Sequence, residues 1–158
     1  MIAVGDAVPE FELPSSLPTS SGKPGRPLKL SDLRGKKVVL AFYPLDFSPV
    51  CSGELSCFRD DLSQFQGVDT EVVGVSVDSA WCHAAFAEKL GLSFPLVADF
   101  QPRGGFARQL GFFEEDKGFT SRATVVVDRD GKAAYVKNHG LGTPRDNAEI
   151  LAALSALR

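Results

Sequence analysis

An α/β fold, a central mixed β-sheet flanked by helices with an N-terminal β-hairpin, is predicted by three features of the chain. Short runs rich in Val, Leu and Phe alternate with stretches whose apolar residues recur at helical spacing. In the C-terminal third this alternation gives way to two β-rich runs joined by an Asp-Gly turn. The longest apolar runs are strand-sized, so none is a candidate membrane span.

Each element follows in order. Val8 to Leu13 reads as an opening strand, and Leu28 to Leu30 as the strand that closes the hairpin. Between them Ser15 to Pro27, rich in Ser, Pro and Gly, reads as an exposed loop. Ser31-Asp32-Leu33-Arg34-Gly35 reads as a turn or one helical turn. The strand Lys37–Tyr43 leads to a helix over Cys51–Phe65, with apolar residues at Leu55, Phe58, Leu62 and Phe65. The strand Glu71–Val77 leads to a helix from Ser79 to Leu90, capped by Asp78 or Ser79. A short strand, Leu96–Ala98, leads to a helix near Arg103–Leu110. Ala123–Val127 and Ala133–Lys137 form a hairpin about Asp128-Arg129-Asp130-Gly131. The last helix is expected to start at Thr143-Pro144, with Thr as cap and Pro in the first helical position. Ile150, Leu151, Leu154 and Leu157 form its apolar face. The order βαβ followed by ββα is the arrangement of a thioredoxin-like fold.

A chain of 158 residues suits one domain over 1–158. Apolar content of 44% and charged content of 23% are those of an ordinary globular protein. A net charge of −3 and the lack of a basic cluster argue against nucleic acid as a partner. The first residues show no secretory pattern, so a cytoplasmic location is expected. Cys51, Cys57 and Cys82 are an odd set with no Cys-x-x-Cys, which points away from a disulfide framework and a zinc site. They suit thiol redox chemistry or core filling, and no cofactor or metal is implied.

The segment Pro44-Leu45-Asp46-Phe47-Ser48-Pro49-Val50-Cys51 carries the chemistry. It places Cys51 where a strand gives way to a helix. Unpaired N–H groups and a partial positive charge at a helix N-terminus stabilise a thiolate, the nucleophilic form of cysteine. Ser48 can offer its hydroxyl to a substrate oxygen or to the sulfur.

These residues resemble the peroxiredoxins, the alkyl hydroperoxide reductase/thiol-specific antioxidant family of thiol peroxidases. The family pattern of Pro, three residues, Thr or Ser, two residues, Cys is matched by Pro44, Ser48 and Cys51. Glu54 is also frequent there, and the family's distant active-site arginine matches Arg122 in Ser121-Arg122-Ala123-Thr124. The segments Gly5–Phe11 and Leu30–Lys36 extend the likeness over nearly the whole chain. Within the family the chain is most similar to the alkyl hydroperoxide reductase E group, and next to the peroxiredoxin Q group. Ser48 stands where most members carry Thr, the Ser15–Pro27 loop is longer than the usual turn, and Cys57 and Cys82 miss the usual second-cysteine positions of the Q group.

The resemblance implies that Cys51 attacks a hydroperoxide and becomes a sulfenic acid. Ser48, the Cys51 N–H and Arg122 would serve as donors to the leaving oxygen. Pro44 and Pro49 would shield the sulfur, and Glu54 would orient Arg122. His83 and His139 read as structural or exposed. Three routes for resolving the sulfenic acid stay open. Cys82, at the start of the next helix, is favoured. Cys57 is second, because six residues of helix separate it from Cys51 by about 9 Å of rise and about 240° of turn, so a disulfide needs the first turns to unwind. The third route is an external thiol acting on a 1-Cys peroxidase. Expected reductants are thioredoxin, a glutaredoxin-like protein or a low-molecular-weight thiol. A homodimer is a candidate assembly, with Phe42, Phe47, Phe112 and Phe113 available for a patch although core packing is their default. The competing functions are a redox sensor and a thiol–disulfide exchange protein.

Overall fold

The computed structural model describes residues 1–157; Arg158, the last residue of the expected domain, lies outside the described residues. Strands β1 (Glu12–Pro14) and β2 (Pro27–Lys29) pair antiparallel as the expected hairpin. It is shorter than predicted. A 3₁₀ turn over Leu30–Leu33 leads to β3 (Lys37–Phe42), and then come α1 (Pro49–Gln66), β4 (Thr70–Ser76), α2 (Ala80–Leu90), β5 (Leu96–Ala98) and α3 (Gly105–Leu110). The chain continues through β6 (Phe113–Glu114), β7 (Phe119–Thr120), β8 (Arg122–Val127), β9 (Ala133–Gly140) and α4 (Asn147–Ser155).

Five strands form the central mixed sheet in the order β5-β4-β3-β8-β9. All six residues of β3 are buried, so the strand needs neighbours on both edges and cover on both faces. Parallel β4 and antiparallel β8 supply the edges. Side chains alternate between faces along a strand. Val39 and Ala41 thus share a layer with Phe58, Phe86, Ile150 and Leu154 of α1, α2 and α4. Val38, Leu40 and Phe42 share the opposite layer with Phe11, Phe106, Leu110 and Phe112. Helices on both faces of a mixed sheet make this the thioredoxin-like architecture expected. Phe42 and Phe112 are core, so of the four phenylalanines considered for a patch only Phe47 is exposed, at 47%.

Several local expectations are corrected. The last helix starts at Asn147, not at Thr143-Pro144, because Asp146 caps it by accepting from the Ala148 N–H at 3.0 Å, while the Arg145 N–H is drawn to the Glu54 carboxylate at 2.6 Å. Helix α1 starts two residues earlier than predicted, with Pro49 in the first helical position. The Ser15–Pro27 loop is not free at its start: Ser15 is fully buried, and the Ser16 N–H donates to the Leu96 carbonyl at 2.8 Å. The β6–β7 hairpin was not anticipated, since two-residue strands leave no periodic signal.

Candidate active site

Three backbone features build the site. β3 ends at Phe42, and the loop from Tyr43 to Ser48 carries the chain to α1. Cys51 is the third residue of that helix, so its N–H is among those the helix leaves unpaired. Because β8 runs antiparallel to β3, with Ala123 opposite Phe42, its first residue Arg122 lies where β3 gives way to the loop. Two residues far apart in sequence are thereby set side by side.

The Cys51 side chain is fully buried, and Arg122 donates from Nη1 to its Sγ at 3.2 Å. The same nitrogen donates to Glu54 Oε1. Arg122 Nη2 and Nε reach the Leu141 carbonyl at 3.1 and 3.3 Å. Burial works against the Arg122 charge, but the bonds and charges of Cys51 and Glu54 outweigh it and hold the guanidinium above the ordinary arginine value. Glu54 is in turn shared with Arg145, which donates from its backbone N–H to Oε2 at 2.6 Å and from Nη2 to Oε1 at 3.3 Å. Arg145 also donates to the carbonyls of Phe42 at 2.8 Å and Ala123 at 2.5 Å, so it pins the ends of β3 and β8 to α1. Burial pulls the Arg145 guanidinium below its ordinary value, and Glu54 opposes the pull. Two guanidiniums and a carboxylate, with side chains at most 3% exposed, therefore form the charged floor beside the sulfur.

The other expected site residues fall around this floor. Pro44 is buried, whereas Pro49 is exposed. The Ser48 hydroxyl donates to the Leu45 carbonyl at 3.0 Å, so its proton holds the loop and not the sulfur. Cys57 is exposed on α1, and Cys82 is partly buried on α2. Burial, with the Asp46 and Asp78 carboxylates beside it, pushes the Cys82 thiol up to about 12. Arg145 was not anticipated from sequence: a lone arginine after Pro144 looks like any surface residue. His83, read as structural or exposed, is fully buried in a network with Asp46 and Tyr43.

An apolar cleft of about 310 Å³ opens beside α1, between Pro49, Val50, Gly53 and Cys57 on one side and Pro144 and Asn147 on the other. Among the described residues one grouping has its ligand atoms close enough for a cation: Asp46, Asp78 and His83, within 4.8 Å of one another. Their atoms are taken up by hydrogen bonds to one another and to Tyr43, Ser76 and Val97. No helix of the described residues is long and apolar enough to cross a membrane.

A cysteine at a helix start against a buried arginine and glutamate, on a mixed sheet of this order, defines a class of redox-active thiol proteins. Residues 4–136 match the AhpC/TSA family, and the chain belongs to it. It is 35% identical over 163 residues to alkyl hydroperoxide reductase E of Mycobacterium tuberculosis, covering 99% of this chain and 100% of that one. The fold superposes on Enterococcus faecalis AhpC with a TM-score of 0.87 at 30% identity, covering 99% of this chain and 92% of that one. Peroxidoxin BcpB from Mycobacterium tuberculosis gives 0.84 at 33% identity, covering 100% and 99%. The protein is a thiol-dependent hydroperoxide reductase of the peroxiredoxin kind.

Proposed function

We propose that Cys51 is the peroxidatic residue and that Arg122, Ser48, Pro44 and Glu54 complete its site. The observation that carries this reading is the 3.2 Å contact of the Arg122 guanidinium with the buried Cys51 sulfur. The thiolate attacks the terminal oxygen of ROOH. An S–O bond forms, the O–O bond breaks, and RO⁻ leaves to take up a proton, giving Cys51–SOH and ROH. Negative charge moves from sulfur to the leaving oxygen, and Arg122 and the unpaired Cys51 N–H face both. Glu54 holds Arg122 in place, and buried Pro44 excludes water. The apolar cleft beside Val50 and Cys57 suits an organic group, which favours organic hydroperoxides as substrates alongside hydrogen peroxide.

The sulfenic acid is then condensed with a second thiol, releasing water and leaving a disulfide. Cys82 remains the favoured partner, followed by Cys57 and by an external thiol. A thiol near 12 is ionised to only about one part in 10⁵ at neutral pH, so Cys82 is slow while Asp46 stays beside it. Movement of the Asp46 loop would remove one cause of that shift. Thioredoxin, a glutaredoxin-like protein or a small thiol would supply the electrons, in a cytoplasmic setting. Phe47, Val50 and Trp81 are exposed apolar side chains available to a homodimer. Counting thiols after one equivalent of hydrogen peroxide tests the scheme. Loss of two thiols in the parent but one in Cys82→Ser supports Cys82, the same result for Cys57→Ser supports Cys57, and loss of one in all three supports an external thiol. Loss of none sinks the peroxidatic role of Cys51.

A further inference from the structure

The charged floor beside Cys51 rests on a second layer of side chains. In the ladder between β8 and β9, Arg122 pairs with Gly140 and Ala123 with Asn138, so His139 is the extra residue of a β-bulge. Bulges re-aim a side chain and recur next to active sites. Here the half-buried His139 ring sets Nε2 3.0 Å from the hydroxyl of fully buried Thr124. That hydroxyl also accepts from Arg145 Nη1 at 3.3 Å. Arg145 holds Glu54, Glu54 holds Arg122, and Arg122 lies against the sulfur. Two residues beyond His139, the Leu141 carbonyl accepts from Nε and Nη2 of Arg122. The bulged segment therefore meets both guanidiniums of the floor.

Proton counting fixes the state of the ring. A guanidinium only donates, so Arg145 occupies a lone pair of the Thr124 oxygen. The hydroxyl proton is left for His139, and Nε2 is then the bare, accepting nitrogen of a neutral imidazole. The surroundings favour that form. Burial first, then Arg145 and Lys137 of β9, hold the ring down to about 4. Glu54 of α1 and Glu149 of α4 pull the other way. Glu54 is taken by the two arginines, however, and Glu149 by Lys137 and Tyr135. A proton on Nε2 would turn the Thr124 hydroxyl away from the ring and set another cation beside Arg145. Arg145 feels the charges of Glu54, Arg122 and Cys51, so its placement bears on the sulfur.

We infer that Thr124 and neutral His139 are positioning residues for the peroxide reaction, holding Arg145 in place and, through Glu54, aiming Arg122 at Cys51 and the leaving oxygen. Neither side chain touches the reacting atoms. Both act through the orientation of the two guanidiniums. The inference rests on the reading of Cys51 as peroxidatic.

The test uses the full chain with Cys57→Ser and Cys82→Ser, which leaves Cys51 as the sole cysteine. Its rate of oxidation by hydrogen peroxide, read as loss of free thiol, is divided by its rate of alkylation by iodoacetamide. Both reactions need the same thiolate, but only peroxide cleavage needs donors placed for a leaving oxygen. At neutral pH His139→Leu and Thr124→Val are each expected to lower the ratio about five- to tenfold, part of the 10²-fold that a misplaced donor can cost. The double variant should fall no further than either single one, because the two residues act in series. His139→Gln, whose amide oxygen can accept from Thr124, should stay within about twofold of this parent. On acidification to about pH 4 the parent's ratio should fall by about half while that of His139→Gln stays flat. A general loss of stability would restore neither the Gln rate nor a flat acid profile. Folded His139→Leu and Thr124→Val proteins that keep the parent's ratio overturn the inference. If neither folds, a parent ratio that does not fall in acid, or falls equally in His139→Gln, overturns it. A parent whose Cys51 is alkylated but not oxidised by peroxide sinks the peroxidatic reading first, and the inference with it.

Discussion

Replacing Glu54 by Gln probes the charged floor most sharply. The substitution keeps the shape and removes one negative charge from between two buried guanidiniums. Glu54 accepts from Arg122 and twice from Arg145, and all three side chains are at most 3% exposed. Breaking a buried ion pair from one side costs about 3–5 kcal/mol, because the partner charges stay buried and uncompensated. In a chain of this size each kcal/mol moves the melting temperature by about 2–4 °C, so a fall of about 6–20 °C is expected. Arg122 also loses the bond that aims it at the sulfur. Misplacing a catalytic donor by an ångström costs up to about 10²-fold, so Cys51 oxidation should slow by about 10- to 100-fold. Calorimetry and stopped-flow fluorescence of Trp81, which is 63% exposed, read the two effects separately. The double variant Glu54→Gln/Arg145→Met should recover much of the stability, since it removes a stranded charge as well. A Glu54→Gln protein that melts within about 2 °C of the parent and reacts within about twofold would refute the reasoning.

Three further outcomes are expected. Arg122→Lys keeps the charge but loses the planar fork that reaches Cys51, Glu54 and Leu141 together, so peroxide reactivity should fall about 10²-fold or more in stopped-flow assays. Iodoacetamide should label Cys82 far more slowly than Cys57 at neutral pH, with the Cys82 rate climbing until about pH 12, and peptide mass spectrometry reads both. Burial first, then the Arg145 and Lys137 charges, lower His139 to about 4, so the fold prefers the neutral ring. That contribution is fully present above the ordinary histidine value of about 6.5 and is lost as pH falls toward about 4. Since His139 is only partly buried, its share is about 1 kcal/mol, and His139→Gln should flatten the melting temperature over that interval.

The scaffold was legible where the physics is local. An apolar run, a Pro-rich turn and apolar residues at helical spacing placed β3, the loop and α1 around Cys51. The Asp-Gly turn announced the β8–β9 hairpin. Long-range partners had no local signal. Arg122, 71 residues from Cys51, was reached through the family resemblance, and Arg145, 91 residues from Glu54, was missed. Nothing near Thr143-Pro144 shows that the next side chain is buried, and Pro there reads as the first position of a helix. The capping by Asp146 and the pull of Glu54 on the Arg145 N–H decided otherwise. His83 read as structural or exposed because nothing local in the sequence marks its partner, and Asp46 lies 37 residues away. The Ser48 hydroxyl was read toward a substrate oxygen or the sulfur, yet in this arrangement it donates to the Leu45 carbonyl.

The most direct measurement is the rate of sulfenic acid formation at Cys51. The reduced protein is mixed with hydrogen peroxide in a stopped-flow device, quenched with a sulfenate-trapping dione and mapped by mass spectrometry, alongside Cys51→Ser. A rapid label confined to Cys51 and a peroxidase activity lost in Cys51→Ser are the results this account requires. Peroxide consumption that survives Cys51→Ser, or a label that forms first on Cys57 or Cys82, would contradict it.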